Sequence, residues 1–214
     1  FILLSGFCWS FSKKPLKQGL LVSGAGLVVT VVTLIFSYES RVIFGVLNLI
    51  GASILLLIPL KKVFEKIPSA MGFALMFLLF GFTYKINVRT LGFFSWELIE
   101  LPWGFYKNLF TTFLGFPTIE FYSSDYFSLM PWMFLYFAGY FLHGMWKEKR
   151  LPDAVCLNKR IPVLTWLGKK SLIIYMIHQP LLYGLLELIF RTSPFSFFFT
   201  PLVYIKIVTL SLIK

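Results

Sequence analysis

The chain has 214 residues, of which 58% are hydrophobic, 20% aromatic and only 14% charged, and its mean hydropathy is +0.81. A soluble domain carries about 25% charge. The apolar runs here are ~18 residues long and lack strand alternation, so the composition excludes a soluble globular enzyme and points to an all-α, polytopic transmembrane helix bundle. The formal charge of +11 would suggest nucleic acid in a soluble protein. Here the cations fall in short clusters between apolar runs, the pattern that orients membrane helices with basic loops in the cytoplasm, and no nucleic-acid partner is expected.

In chain order, Phe1 lies inside an apolar run, FILLSGFCWSF, with no charged region before it. That reads as the start of an N-terminally truncated chain and not as a signal peptide. The run ends in a basic turn at 12–17 (SKKPLK), and a second span is expected over 18–36, where Gly19, Ser23, Gly24 and Gly26 give a small-residue face for close helix packing. A third span over 42–60 carries Asn48 about two turns below its outer end and closes on Lys61, Lys62 and Lys66. A fourth covers 68–84. Residues 85–125 then break the hydropathy with Phe93, Phe94, Trp96, Trp103, Phe105, Tyr106 and Phe116. This stretch reads as short amphipathic helices on the outer membrane surface, with a sugar-contacting role for the aromatic faces and for Glu97, Glu100 and Glu120 alongside.

A fifth span over 126–146 bears Pro131 in its first turns and His143 near its inner end, and the basic loop 147–170 follows. The sixth span, from 168 to about 190, opens with GKKSLIIYMIHQP. The tail 191–214 is apolar enough to return as a seventh. The expected architecture is thus one domain over 1–214 with six to seven spans, loops 12–17, 61–67 and 147–170 cytoplasmic and loop 85–125 outside, in a bacterial plasma membrane. Cys8 and Cys156 both fall on the inner side and are expected as free thiols.

His178 and Gln179 would lie ~14 Å along their helix, roughly half of a ~30 Å hydrocarbon core. An ionisable side chain at that depth marks a functional site, and Pro180 next to it frees a carbonyl one turn back. A neutral imidazole there serves as general base for a sugar hydroxyl or amine, or as a hydrogen-bonding strut between helices. Asn48 is open to two readings, helix-to-helix glue or a residue on the substrate path. Asp125 either caps the fifth span, together with Ser123 or Ser124, or contacts substrate. His143, Lys147, Lys149, Arg150, Lys159, Arg160, Lys169 and Lys170, with Ser171, gather at the inner face, where they set topology or hold the phosphates of a nucleotide-like donor or anionic lipid. No metal-ligand spacing, GxSxG, HEXXH or Walker loop appears.

Three pieces carry a resemblance: FILLSGFCWSFSKKPLKQG, then RVIFGVLNLIG, then SSDYFSLMPWMFLYFAGYFLHG with LGKKSLIIYMIHQPLL. Together they resemble the bacterial branch of the heparan-alpha-glucosaminide N-acetyltransferase catalytic-domain family, once catalogued as a domain of unknown function (DUF1624) and related in layout to membrane acyltransferases that O-acetylate surface polysaccharides. The resemblance implies a multi-helix enzyme that takes an acetyl group from cytoplasmic acetyl-CoA and delivers it to an amino or hydroxyl group of a glycan or glycolipid at the far side, without a metal. In the reading that joins this to the residues above, His178 is the catalytic base or orienting residue, Gln179, Asn48 and Asp125 line the acceptor path, and His143, Lys147, Lys169, Lys170 and Ser171 surround the donor. The family pattern also places an arginine-glycine motif and a reaction-centre residue upstream of a segment like FILLSGF, and a histidine where Asn48 stands. The expected partners are the bilayer and the glycan acceptor, with a homodimer left open. A transporter or flippase of an anionic or lipid-linked solute and a non-catalytic membrane scaffold are the alternatives; against the former, no internal repeat relates 1–84 to 126–214.

Overall fold

The computed structural model describes residues 1–36, 41–93 and 96–148 and, beyond them, 172–174, 176, 177, 181 and 185. The chain divides into two compact units, Phe1–Arg160 and Ile161–Lys214. In the second unit every described position is helical, and Ile173, Ile177, Leu181 and Leu185 recur at four-residue intervals as exposed side chains.

The first unit is mainly helical: α1 (Ile2–Trp9), α2 (Pro15–Phe36), α3 (Val46–Phe64), α4 (Ser69–Thr83), α5 (Leu109–Leu114) and α6 (Leu129–Glu148). Among the described residues, three stretches are long and apolar enough to cross a membrane, Pro15–Ile35, Val46–Phe64 and Ser69–Val88. They coincide with the second, third and fourth expected spans. The fifth expected span is present as α6, yet it is not among those three. Its Trp132, Tyr136, Tyr140 and His143 lower its hydropathy, and these are tolerated because α6 is the hub of the unit. It packs on α1, α3 and α4 and buries Tyr136, Phe137, Ala138 and Phe141. A helix enclosed by protein need not be as apolar as one bathed in lipid.

Small residues let these helices approach closely. A Cβ at Gly6 of α1 would run into the Tyr136 carbonyl of α6, and one at Gly139 of α6 into the Leu3 carbonyl of α1. Between α2 and α3 the expected small-residue face meets its partner in antiparallel order: Gly19 against Leu55, Ser23 against Gly51, Gly26 against Asn48. Gly24 is the exception, with open space where its Cβ would be. Along α2 the hydroxyls of Thr30 and Thr33 donate to the carbonyls of Gly26 (3.1 Å) and Val29 (2.9 Å), so these two hydroxyl hydrogens are paired within the helix.

Two expectations are corrected here. The first concerns α3, which runs four residues later than expected at both ends: Phe44 adopts a left-handed φ of 57° and Gly45 is extended, so the helix starts at Val46, while Lys61 and Lys62 belong to its last turn. Lysines there complement the negative end of the helix dipole, and Lys61 pairs with Glu65 at 3.5 Å. The second concerns residues 85–125, which are not helices alone. Thr90–Phe93 (β1) and Trp96–Glu100 (β2) form an antiparallel hairpin, flanked by 3-10 turns at Ile86–Val88 and Trp103–Phe105. The fold is thus mainly helical with a two-stranded insert. Thr90, Phe93, Trp96 and Ile99 favour a pleated, half-covered surface, and the register slips between Leu91 and Gly92, where the Trp96 carbonyl comes so close that only glycine fits.

Candidate functional site

Helix order sorts the polar residues of the first unit into two ends. At one end, α1 and α6 finish side by side, with the His143 ring 5.2 Å from that of Phe7, 4.9 Å from Phe11 and 5.9 Å from Trp146. The start of α4 joins them, because the Ser69 hydroxyl donates to the Glu148 carboxylate at 2.5 Å. Phe64, at the end of α3, lies 5.5 Å from Phe137 and 5.0 Å from Phe141. This geometry gathers Lys13, Lys14, Lys17, Lys61, Lys62, Lys66 and Lys147 at one end, with Glu65 and Glu148 the acids beside them. Lys147, one helical turn beyond His143, is exposed. An end rich in mobile ammonium groups beside a histidine in an aromatic cage can hold a polyanion and an aromatic or apolar arm.

The opposite end is organised differently. Residues 41–46 and 122–127 are stitched together by two backbone hydrogen bonds and by side chains that bond to backbone groups. Ser124 N–H donates to the Arg41 carbonyl and Phe127 N–H to the Phe44 carbonyl, each at 3.0 Å. Ser123 Oγ serves both groups of Ile43, accepting from its N–H and donating to its carbonyl at 2.9 Å each. Arg41 Nε donates to the Tyr122 carbonyl at 3.1 Å. The Asp125 carboxylate accepts from the N–H of Val46, the first residue of α3. So Asp125 does cap a helix, but α3 and not the fifth span as expected: the tight 41–45 turn presents the first α3 amides to the incoming loop, and a carboxylate is favoured there. Burial outweighs that hydrogen bond and pushes the Asp125 carboxyl above the usual carboxylate range. Tyr126 donates to the Thr112 carbonyl and is likewise raised by burial.

Asn48 stands at this same mouth. It is the third residue of α3, ~3 Å along the axis from Val46, and its side chain rests against Gly26 of α2. The expected position two turns below the mouth is corrected by the later helix start. Asn48 and Asp125 thus come to one end of α3, while His143 and Lys147 occupy the other end of the unit. His178, Gln179, Lys169, Lys170 and Ser171 lie outside the described residues.

Sequence reading passed over Arg89. Its backbone is left-handed at φ 67°, and its guanidinium carbon lies 3.6 Å from the Trp103 ring centre and 6.0 Å from that of Tyr106. Tyr106 donates to the Ile86 carbonyl at 2.6 Å; burial raises its phenol, and the Arg89 charge works against that rise. The available signal was a single arginine in an aromatic stretch, flanked by a β-branched residue.

These features define a mostly helical membrane domain with a cationic end and a clasped, aromatic-rich end. Over residues 1–180 the chain matches the family model described as heparan-alpha-glucosaminide N-acetyltransferase, catalytic, and it belongs to that family. Membership makes it an acetyltransferase-type enzyme of the membrane. No curated protein and no solved structure matches the chain.

Proposed function

We propose that the protein transfers the acetyl group of acetyl-CoA, bound at the cationic end, to an amino or hydroxyl group of a glycan or glycolipid sugar that enters from the clasped end. The observation that carries this reading is the segregation of Lys13, Lys14, Lys17, Lys61, Lys62, Lys66 and Lys147 to one end in a chain of this family. Lysines on flexible stems suit a ligand with several phosphates, and the His143 cage gives the adenine or the pantetheine arm an aromatic wall. The reading also assigns Lys169, Lys170 and Ser171 to donor binding. The positive-inside pattern supports a reading in which this end faces the cytoplasm of a bacterial plasma membrane, with loops 12–17, 61–67 and 147–170 inside and 85–125 outside.

In this reading His178 is the base. Its neutral imidazole takes the proton from the attacking sugar nitrogen or oxygen as that atom adds to the thioester carbonyl, and collapse of the adduct expels the CoA thiolate, which recovers the proton. Gln179 orients the acetyl carbonyl. Asn48 and Asp125 line the acceptor path; with one hydrogen bond from Val46, the Asp125 carboxylate keeps lone pairs for a sugar hydroxyl.

The test follows labelled acetyl transfer to amino sugars and hydroxyl sugars in proteoliposomes. His178→Ala abolishes transfer and leaves membrane insertion intact. Unchanged transfer removes His178 from the mechanism, and solute uptake without acetyl-CoA consumption replaces the enzyme reading with a transporter.

A further inference from the structure

We propose that the hairpin and the Arg89–Trp103 stack form a site for the phosphate of a membrane lipid in the leaflet at the clasped end. The inference goes beyond acetyl transfer and does not depend on it. It begins with where the hairpin points. After α4 ends and the turn Ile86–Val88 reverses the chain, β1 runs back beside the helix it has just left. The Phe93 ring lies 5.7 Å from that of Phe82, and a Cβ on Gly81 would sit 3.6 Å from it. Phe93, at the end of β1, is therefore level with the last turn of α4, near the end of the apolar Ser69–Val88 stretch.

The ribbon exposes large apolar side chains: Trp96 is 76% exposed, Leu98 59% and Ile99 53%, with Glu100 exposed at the end of the same strand. A two-stranded ribbon has unpaired backbone edges and cannot enter the hydrocarbon, so its level is the headgroup boundary, where Trp is favoured.

Arg89 stands at the base of this ribbon with a guanidinium the protein only partly occupies. Its Nη2 donates to the Leu101 carbonyl at 2.9 Å, its Nε is buried without a partner, and among the described residues no carboxylate pairs with it. The left-handed backbone that aims it is held by two bonds, Arg89 N–H to the Ile86 carbonyl (3.1 Å) and Leu101 N–H to the Arg89 carbonyl (2.8 Å). A non-glycine residue held in that conformation points to function. Stacking on Trp103 fixes the plane of the fork and leaves its remaining N–H groups to an oxyanion. At the headgroup boundary the abundant oxyanion is lipid phosphate.

The full chain in phosphatidylcholine nanodiscs containing phosphatidylglycerol tests this by native mass spectrometry and by tryptophan quenching with acyl-brominated phosphatidylglycerol. Arg89→Gln retains phosphatidylglycerol roughly tenfold less well than wild type, the scale of one lost charge-assisted contact, and inorganic phosphate at millimolar concentration does not displace the lipid. Trp96→Phe removes a quenchable part of the emission. Because Trp96 is mostly exposed, Trp96→Ser tests the hairpin without disturbing the core and weakens lipid retention in the same direction. Equal retention by Arg89→Gln and wild type overturns the phosphate contact. Full displacement by inorganic phosphate overturns a lipid as its source, and unquenched Trp96 places the hairpin off the bilayer.

Discussion

The two ends of the Phe1–Arg160 unit are held together by different means. The cationic end is joined by side chains: aromatic rings around His143 and Phe64, a single serine to glutamate hydrogen bond, and lysines that mostly point away. The clasped end is joined by hydrogen bonds to backbone groups, given by backbone and by the side chains of Ser123, Arg41 and Asp125, with loop 122–127 closing the carbonyls and amides of 41–46. Such bonds fix geometry; exposed lysines fix little and leave charge available. The first arrangement suits a rigid rim, the second a site for a mobile polyanion.

The largest effect comes from breaking the frame both ends share. Gly139→Leu drives a side chain into the Leu3 carbonyl where neither backbone can yield, at a cost of about 3 kcal/mol or more. Folded yield by fluorescence-detected size exclusion should collapse, and with it both ends together.

Next comes the clasp alone. Asp125→Ala removes the α3 cap and lowers stability by about 1–2 kcal/mol, read as a falling thermal midpoint, while acetyl-CoA affinity stays within about twofold. A loss of donor affinity as large as the loss of stability would mean the two ends are not independent.

The pH dependence sharpens the same point. Burial raises the Asp125 carboxyl, so the folded state binds its proton more tightly than the unfolded chain does. Its contribution to stability is full below the ordinary aspartate range and is lost as pH rises through the raised value. Thermal midpoints recorded upward from about pH 4 should fall in wild type, and Asp125→Asn, which keeps an acceptor for Val46 N–H, should flatten that slope.

The smallest structural effect belongs to the cationic end. Lys147→Ala should change stability by no more than about 0.5 kcal/mol, since the side chain is exposed, yet weaken acetyl-CoA binding several-fold.

What could be read from sequence follows the same division. Helices declared themselves through long apolar runs, and the α2 face of Gly19, Ser23 and Gly26 through its spacing, because both are local patterns. The partner of that face, and the pairing of Gly6 with α6, depend on which helices meet. The start of α3 was missed because Val42, Ile43 and Phe44 are as apolar as the helix they precede; Phe44's left-handed turn and bonds to the distant Thr33, Ser123 and Phe127 hold them out of it. Asp125 was legible as a cap, but its helix was not, since α3 and α6 offer equally plausible termini to a loop residue. The hairpin was hidden because Phe and Trp read alike as interfacial helix or as strand. Arg89 acquires meaning through contact with Trp103, fourteen positions on.

The most direct test of the division of labour is calorimetric binding of acetyl-CoA, with dephospho-CoA and ATP as controls, to purified protein and to variants carrying Lys147→Ala, Lys169→Ala or Lys170→Ala. Selective acetyl-CoA binding that weakens in each variant, and survives Asp125→Ala, is the predicted result. Binding that ignores the lysines, or that fails with Asp125→Ala in a folded protein, would contradict a donor site at the cationic end.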